Sequence, residues 1–170
     1  LSQYNLNSPM DQVVFILGGN LGDKLGLIES ATELMVSNFG PVVLGSSIFE
    51  SEPWGGKSQG NYLNQVLVFE TSIQSEEVLN IILGIEVKLG RQREEKWGNR
   101  TMDIDILYFG NKIFQSKRLN IPHPYIQDRR FVLEPLAEIL PDFMHPILNI
   151  ANRELLENCL DRSIVKIYKE

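Results

Sequence analysis

The sequence lacks several features that define large classes of protein. It has a single cysteine in 170 residues, which excludes a disulfide framework and a cysteine metal site and is typical of a reducing compartment. No apolar run approaches the ~20 residues of a membrane span, and the polar residues 2–5 do not resemble a signal peptide. Repeats, low-complexity tracts and interdomain linkers are also absent. We therefore expect a cytoplasmic protein without a membrane partner.

Positive charge is scarce overall but concentrated in one segment. The net charge is −6, which argues against general binding to nucleic acid or to anionic membranes. Residues 88–130 nevertheless hold ten of the sixteen Lys and Arg and only five of the twenty-two acids, so this segment carries +5 and the rest −11. Such a distribution predicts a local anion site in an acidic protein.

Length and periodicity predict the fold. A chain with 43% hydrophobic and 22% charged residues is typical of a globular protein, and we expect one domain, residues 1–170, and a monomer. Strand and helix patterns alternate as β, α, β, β, α, β. They cover residues 13–17, 25–39, 42–49, 62–72, 75–90 and 103–109. This order predicts an α+β, ferredoxin-like βαββαβ core with helices on one face of an antiparallel sheet. A C-terminal extension, including Leu155, Leu160 and the strand-like residues 164–168, is expected to cover the core.

The last strand of this core carries two acids. Residues two apart in a strand point to the same face, so Asp103 and Asp105 stand side by side, ~7 Å apart at Cα. Met102, Ile104 and Ile106 then face a core. Two hard carboxylate ligands on one face favour Mg²⁺. An ordinary edge strand with a solvated acidic face is the alternative.

The residues just before this strand favour a phosphorylated ligand. They include Arg91, Arg93, Lys96 and Arg100, with Trp97 available for stacking and Gly98 for close approach of the backbone. Arginine forks grip phosphate oxygens bidentately while Mg²⁺ bridges them. Together with the acid pair, this segment predicts a polyphosphate site.

Two glycine-containing segments have open interpretations. Residues 18–23, Gly-Gly-Asn-Leu-Gly-Asp, follow the first strand and are expected to form a plain turn; a phosphate cradle is the alternative, although the Lys-Ser/Thr ending of a P-loop is missing. Residues 50–61, with four Gly or Pro between positions 53 and 60, are either a lid or a disordered connector.

Two polar side chains are further candidates. Asn64 offers an amide suited to the edge of a heterocycle, or else serves a cap or turn. His123, between two prolines, either contacts phosphate or ribose or is a structural hydrogen-bond partner. The basic surroundings of His123 favour the ligand contact.

Residues 97–107, Trp-Gly-Asn-Arg-Thr-Met-Asp-Ile-Asp-Ile-Leu, closely resemble the signature of the 6-hydroxymethyl-7,8-dihydropterin pyrophosphokinase family of folate biosynthesis. Residues 18–23, 62–64, 122–124 and 129–133 resemble it in the same order, so the resemblance spans nearly the whole chain. It implies a ferredoxin-like enzyme that transfers pyrophosphate from ATP to the hydroxymethyl oxygen of 6-hydroxymethyl-7,8-dihydropterin and releases AMP.

The resemblance also implies roles for individual residues. Two Mg²⁺ ions, bound with ATP, would be held by Asp103 and Asp105. The catalytic residues would be Arg93, Arg100, Asp103 and Asp105. The nucleotide would be bound by Arg91, Ile106, Arg118, His123 and Arg129. The pterin would be bound by Ser51, Trp54, Tyr62, Asn64, Trp97 and Phe131. Glu86 would support the basic loop.

Some positions depart from the commonest family pattern. Gly19 replaces a frequent Ser, residues 52–54 read Glu-Pro-Trp, Lys96 stands where Arg is common, and Asn99 where Pro is common. None of these changes affects Asp103 or Asp105. The contacts of the lid, including whether Glu52 faces solvent, stay open. Two other functions also stay open: a kinase that transfers only the γ-phosphoryl group, and a nonenzymatic ferredoxin-like module that senses a ligand or binds RNA.

Overall fold

An antiparallel sheet forms the centre of the computed structural model, which describes residues 9–55, 60–90 and 101–170. The described residues contain the strands β1 (Asp11–Gly19), β2 (Leu44–Gly45), β3 (Phe49–Ser51), β4 (Tyr62–Thr71), β5 (Asp103–Phe109), β6 (Phe114–Gln115), β7 (Asn120–Ile121) and β8 (Val165–Ile167). The main sheet has the order β5-β1-β4-β3-β8, with β2 also on β4, while β6 and β7 pair separately. All of these pairings are antiparallel.

The described helices are α1 (Lys24–Phe39), α2 (Ser75–Lys88), α3 (Arg130–Ile139) and α4 (Asn152–Asn158), with a short 3-10 helix at Ile126–Asp128. Helices α1 and α2 cover one face of the sheet, around a core that includes Phe15, Phe39 and Phe69. The strands and helices follow the predicted order, and the ferredoxin-like prediction is confirmed.

The first helix begins and ends as its sequence predicts. The Asp23 carboxylate accepts a hydrogen bond from the Gly26 main-chain N–H at 3.1 Å, which satisfies one of the open donors of the first turn. Gly40 follows the last helical residue with φ +92°, a conformation that favours glycine. The helix therefore stops where Gly40 and Pro41 predicted its end.

Two more helices occupy the other face of the sheet. Helices α1 and α2 lie on one face as predicted, but α3 and α4 pack on the opposite face. Leu133 of α3 packs there with Val14 of β1 and Val68 of β4. Helix α3 was not predicted from the sequence. Pro135 lies inside it, and because proline has no N–H, that turn lacks one helical hydrogen bond. Leu155 is buried there as expected, whereas the prediction that Leu160 covers the core is wrong, since it is 87% exposed.

The predicted strand 42–49 is wrong as a single element, because it divides into β2 and β3. Ser46 lies between them, and its hydroxyl accepts a hydrogen bond from Val66 N–H at 2.9 Å and donates one to the Ser47 carbonyl at 2.7 Å. Glu138 of α3 accepts from Ser47 N–H at 2.7 Å. Side chains therefore replace part of the regular ladder between β2 and β3.

The first strand is longer than predicted. Its burial on both faces agrees with a central strand, but Gly18 and Gly19 continue it instead of forming the expected turn. Gly18 pairs with Asn64 of β4 and with Asp103 of β5. This end of the sheet thus brings three predicted segments together. Within the described residues, no helix has both the length and the apolar character required to cross a membrane.

Candidate active site

A cavity of about 340 Å³ lies where the ends of the central strands meet the start of α3. Its walls include nine residues singled out in the sequence: Ser51, Trp54, Tyr62, Asn64, Asp103, Asp105, His123, Arg129 and Phe131. These side chains come from five separate segments of the chain, and the fold gathers them in one place.

The acid pair lies on β5, with Asp103 and Asp105 in the cavity wall. Ile104 and Ile106 belong to the core on the α1 and α2 side, so the predicted alternation is confirmed. Further along β5 the register with β1 shifts, since Val14 pairs with Tyr108 but the next residue of β1 pairs with Ile106. This bulge lies beyond the acids and leaves their alternation intact.

Glu86 fixes the start of β5. It is 2% exposed, lies on α2, and its Oε1 accepts a hydrogen bond from Ile104 N–H at 2.9 Å. Ile104 lies between the two acids in sequence. A buried side-chain oxygen that accepts a main-chain N–H satisfies both groups away from water, so Glu86 holds the strand segment that carries both acids.

Gly18 forms part of the cavity wall between the polar and acidic residues. A Cβ at this position would collide with the Asn64 amide oxygen and with the Leu63 carbonyl oxygen. This role was not predicted from the sequence, because Gly18 was expected to lie in a turn. A glycine within a strand often marks a place where a neighbouring group comes close to the backbone. This feature of the sequence could have indicated the role of Gly18.

Asn64 and Ser51 make a buried polar corner. Asn64 is 6% and Ser51 2% exposed, and the Asn64 amide donates to Ser51 Oγ at 3.2 Å. Asn64 lies inside β4, paired with Phe49 of β3, so the alternative of a cap or turn is wrong. Tyr62 pairs with Ser51 across the same two strands.

His123 faces the acids in its neutral form. Its Nε2 is 3.7 Å from Asp105 Oδ2, too long for a good hydrogen bond, and its Nδ1 accepts from Tyr125 N–H at 3.1 Å. Burial and the Arg129 charge lower the pKa of His123 to about 4, with Asp103 acting in the opposite direction. With Nδ1 as acceptor, the proton of the neutral ring is on Nε2, which is therefore a donor on the side of Asp105.

Arg129 lies in an aromatic cage. Its guanidinium carbon is 4.6 Å from the ring centre of Trp54, 4.9 Å from that of Tyr125 and 5.7 Å from that of Phe131. The residue is 6% exposed. A guanidinium at these distances is attracted to the ring faces, so a buried charge and three rings form one unit at the start of α3.

Other predicted site residues lie elsewhere. Ile106 has its side chain in the core. Arg118 is at the surface, where its guanidinium donates to Asn80 at 2.8 Å and pairs with Glu76 at 3.4 Å, both on α2. The predicted residues Arg91, Arg93, Trp97 and Arg100 lie outside the described residues, as do positions 56–59 of the proposed lid.

Tyr125 and Glu52 are among the cavity residues to which the sequence assigned no role. Tyr125 follows the Pro-His-Pro segment and contacts Arg129; its proximity depends on the fold and carried no sequence signal. Glu52 is exposed, lines the cavity, and its Oε2 accepts from Ile164 N–H at 3.4 Å. Glu52 therefore lies at the rim of the cavity and contacts the C-terminal segment.

The acid pair fits a metal that takes part of its coordination from elsewhere. Within residues 9–55, 60–90 and 101–170, no group of three or more His, Cys, Asp or Glu side chains is arranged to hold a metal ion. Mg²⁺ is usually bound by one or two carboxylates, with substrate phosphates and water completing its shell. Two adjacent carboxylates in an open cavity match that donor set.

A protein-family model matches most of the chain. The model described as 7,8-dihydro-6-hydroxymethylpterin-pyrophosphokinase (HPPK) matches residues 14–141. This range contains every described residue of the acid pair, the polar corner and the aromatic cage.

Similar proteins carry the corresponding enzyme name. The chain is 40% identical over 138 residues to the 2-amino-4-hydroxy-6-hydroxymethyldihydropteridine pyrophosphokinase of Aquifex aeolicus, covering 81% of this chain and 86% of that protein. It is 39% identical over 132 residues to the protein of the same name from Bacillus subtilis, covering 76% and 79%.

A solved structure has the same fold. The Plasmodium falciparum HPPK-DHPS structure with pteroate superimposes with a TM-score of 0.72 at 18% identity, covering 92% of this chain. The chain spans 43% of the length of that protein. The fold is therefore common to both, over the part that aligns.

Proposed function

This chain belongs to the 7,8-dihydro-6-hydroxymethylpterin-pyrophosphokinase family, enzymes of pyrophosphoryl transfer in folate biosynthesis, and from that premise we propose a specific reaction for its cavity. The enzyme transfers pyrophosphate from ATP to the hydroxymethyl oxygen of 6-hydroxymethyl-7,8-dihydropterin and releases AMP. The observation that carries this proposal is the meeting of an acid pair with a buried amide corner and an aromatic wall in one cavity.

The amide corner and the aromatic wall suit a pterin. A flat heterocycle with a polar edge needs hydrogen-bonding groups at that edge and apolar surfaces against its faces. Asn64 and Ser51 supply the first, and Tyr62, Trp54 and Phe131 line the same cavity. We place the pterin there, and we assign Trp97 to the same ring from the family resemblance.

The acid pair suits Mg²⁺ with ATP. Asp103 and Asp105 would hold two ions, and bound Mg²⁺ neutralises phosphate charge and polarises phosphoryl oxygens. The carboxylates stand on one face of a strand whose start is anchored by Glu86. The chain thus keeps its metal-binding oxygens in a fixed position relative to Asn64, across Gly18.

Cationic and donor side chains would bind the phosphates. Arg129 offers a guanidinium already oriented by three rings, and neutral His123 offers its Nε2–H to the nucleotide. Arg118 reaches the nucleotide after leaving Glu76 and Asn80. Ile106 contacts it through its main chain, since its side chain is in the core. The roles of Arg91, Arg93 and Arg100 follow from the family resemblance.

The reaction itself is an in-line displacement. The hydroxymethyl oxygen forms a bond to the β-phosphorus, the bond from that phosphorus to the α–β bridging oxygen breaks, and AMP leaves with the electron pair. The hydroxyl proton is released. Positioning and charge neutralisation dominate catalysis of phosphoryl transfer. The described walls of the cavity provide rigid strands that can position the substrates and charged groups that can neutralise the phosphates.

Product analysis tests the proposal against its alternatives. The chain is incubated with ATP, Mg²⁺ and 6-hydroxymethyl-7,8-dihydropterin, and the nucleotide products are separated. AMP in equal amount to the pyrophosphorylated pterin is expected. ADP would indicate transfer of the γ-phosphoryl group alone, and bound pterin without turnover would indicate a binding module.

A further inference from the structure

Residues 161–164 contact two walls of the cavity, although they lie beyond residue 141, where the family match ends. The segment follows α4 and leads into β8, which pairs with β3 at the edge of the sheet. Its contacts reach the first turn of α3 on one side and Glu52 on the other.

Asp161 closes the first turn of α3. The residue before this helix, Arg129, makes no side-chain cap, and the Asp161 carboxylate accepts a hydrogen bond from Arg130 N–H at 3.0 Å instead. A side-chain oxygen on an open N–H of the first turn is what a helix cap provides, and the negative charge also suits this end of the helix. The capping group is supplied by a residue 31 positions away.

Ser163 holds the Asp161 carboxylate in place. Its N–H and its hydroxyl both donate to Asp161 Oδ1, at 2.9 and 2.7 Å. Burial acts to raise the pKa of Asp161, but these hydrogen bonds, the one from Arg130 N–H and the Arg130 charge prevail and lower the pKa. Asp161 is therefore ionised at neutral pH.

The turn that Asp161 holds carries two cavity residues. Arg129 and Phe131 flank Arg130, and both line the cavity. Because the Asp161 contact is to the main chain between them, a shift of that main chain moves the guanidinium and the phenyl ring together.

The opposite wall is tied to the same segment. Glu52 N–H donates to the Ile164 carbonyl at 3.3 Å, and Ile164 N–H donates to the Glu52 carboxylate at 3.4 Å. Ile164 is the neighbour of Ser163, which holds Asp161. Residues 161–164 therefore link the start of α3 to the end of β3, across the rim of the cavity.

We propose that Asp161 is a positioning residue, which sets the first turn of α3, and through it Arg129 and Phe131, at the spacing from β3 that substrate binding needs. The roles of Arg129 and Phe131 in this inference rest on the proposed function. A plain stabilising cap is the rival account, and it predicts a loss of stability without a change in substrate affinity.

Three variants of the full-length chain separate the two accounts. Asp161→Ala removes all three hydrogen bonds, Asp161→Asn keeps one acceptor for Arg130 N–H, and Ser163→Ala removes only the hydroxyl that orients the carboxylate. The KM for the pterin, the KM for ATP, kcat from AMP formation, and Tm are measured for each. Assays are run well below the lowest Tm, so that the folded fraction is equal.

A graded rise in KM is expected. Asp161→Ala should raise the KM for the pterin about tenfold, the order of one lost charge-assisted hydrogen bond, with Asp161→Asn intermediate and Ser163→Ala within about twofold of the wild type. The matched control is Asp142→Asn, which makes the same change at an exposed carboxylate that pairs with Arg153 in the same region of the chain. It should leave KM unchanged.

The outcomes distinguish this inference from the proposed function. Wild-type KM values in Asp161→Ala and Asp161→Asn, together with a lower Tm in both variants, would overturn the positioning role and leave only a cap. If the wild-type chain forms no AMP, the proposed function fails first. If Asp161→Ala does not fold, the comparison of Asp161→Asn with Asp142→Asn decides the question.

Discussion

Arg129 joins the charged and the aromatic parts of the cavity in a single side chain. Its guanidinium is almost fully buried and lies against the rings of Trp54, Tyr125 and Phe131. Trp54 is the nearest of the three rings and lies in a segment that departs from the commonest family pattern. Trp54 therefore helps to orient the arginine that we propose binds phosphate.

Replacing Trp54 should weaken nucleotide binding. Trp54→Leu removes the closest ring, and since a cation–π contact contributes about 0.5 to 2 kcal/mol, the KM for ATP should rise about twofold to thirtyfold. Trp54→Phe keeps a ring face and should give a smaller rise. Steady-state kinetics at varied ATP measure the effect, with Tm as the control for folding. Equal KM values in wild type and Trp54→Leu would remove Trp54 from the orientation of Arg129.

His145 is a buried histidine that is not among the residues lining the cavity. It is 3% exposed, and its Nδ1 accepts hydrogen bonds from Ile147 and Leu148 N–H groups, both at 3.2 Å. Burial lowers the pKa of His145 below its usual 6.5. The folded state thus keeps the ring neutral at a pH where the unfolded chain binds a proton.

Acid should destabilise the fold partly through this histidine. A depressed folded-state pKa gives stability that is present above pH 6.5 and is lost as the pH falls toward the folded-state pKa, by at most ~1.4 kcal/mol per pH unit. His145→Asn keeps an acceptor near Nδ1 but does not titrate, so its Tm should fall less steeply between pH 7 and 5. His123, whose pKa is also lowered, still titrates in this variant, so part of the pH dependence of Tm should remain. Parallel Tm curves for variant and wild type would contradict this reading.

At the residue scale, the sequence predicted what depends on local alternation. Asp103 and Asp105 share a face because strands alternate, and this holds in the structure. The prediction that distant segments lie close together depended on the resemblance to a family. Tyr125 and the contact of Asp161 with Arg130 N–H depend on tertiary structure, and nothing in their local sequence indicates them.

At the element scale, β1 is the centre of the site. It lies between β4 and β5, so it brings Asn64 and Asp103 to opposite sides of Gly18. The strand has no side chain at that point, and the Asn64 amide oxygen occupies the space where a Cβ would be. The distance between the polar corner and the acids is therefore set by a glycine.

A methyl group at Gly18 should damage both fold and site. Gly18→Ala overpacks a closed space, which typically costs about 1–3 kcal/mol, and it displaces Asn64, so Tm and pterin affinity should both fall. Gly84→Ala is the matched control. Gly84 is exposed on α2 with no atom within 4 Å of an added Cβ, so the change should stabilise the helix by about 0.5–1 kcal/mol. Thermal melts and pterin titrations of the two variants measure the contrast; an unchanged Gly18→Ala protein would refute the role of this glycine.

Element prediction succeeded where pattern and boundary signals agreed. Helix α1 has both an Asp23 cap and a terminal Gly40, and its bounds follow from the sequence. The single strand 42–49 failed because Ser46 uses its hydroxyl in place of part of the ladder, which apolar periodicity does not record. Helix α3 was missed because Pro135 is a helix breaker in general, and packing against the sheet outweighs that preference here.

At the scale of the whole molecule, the segment with an excess of positive charge contributes to the cavity. The basic excess of residues 88–130 includes Arg129 at the cavity, in a chain that is otherwise acidic. The sheet carries the acids, α1 and α2 support it from one side, and α3 supplies the arginine and a ring from the other.

The central claim is that the acid pair of this cavity carries pyrophosphoryl transfer, and the rate of AMP formation by Asp103→Asn and Asp105→Asn tests it most directly. Both variants keep the size of the side chain but lose a charged metal ligand. We expect AMP formation to fall at least about a hundredfold, on the order of losing one transition-state contact, with pterin affinity and Tm close to those of the wild type. Near wild-type AMP formation in either variant, with the fold intact, would contradict the account.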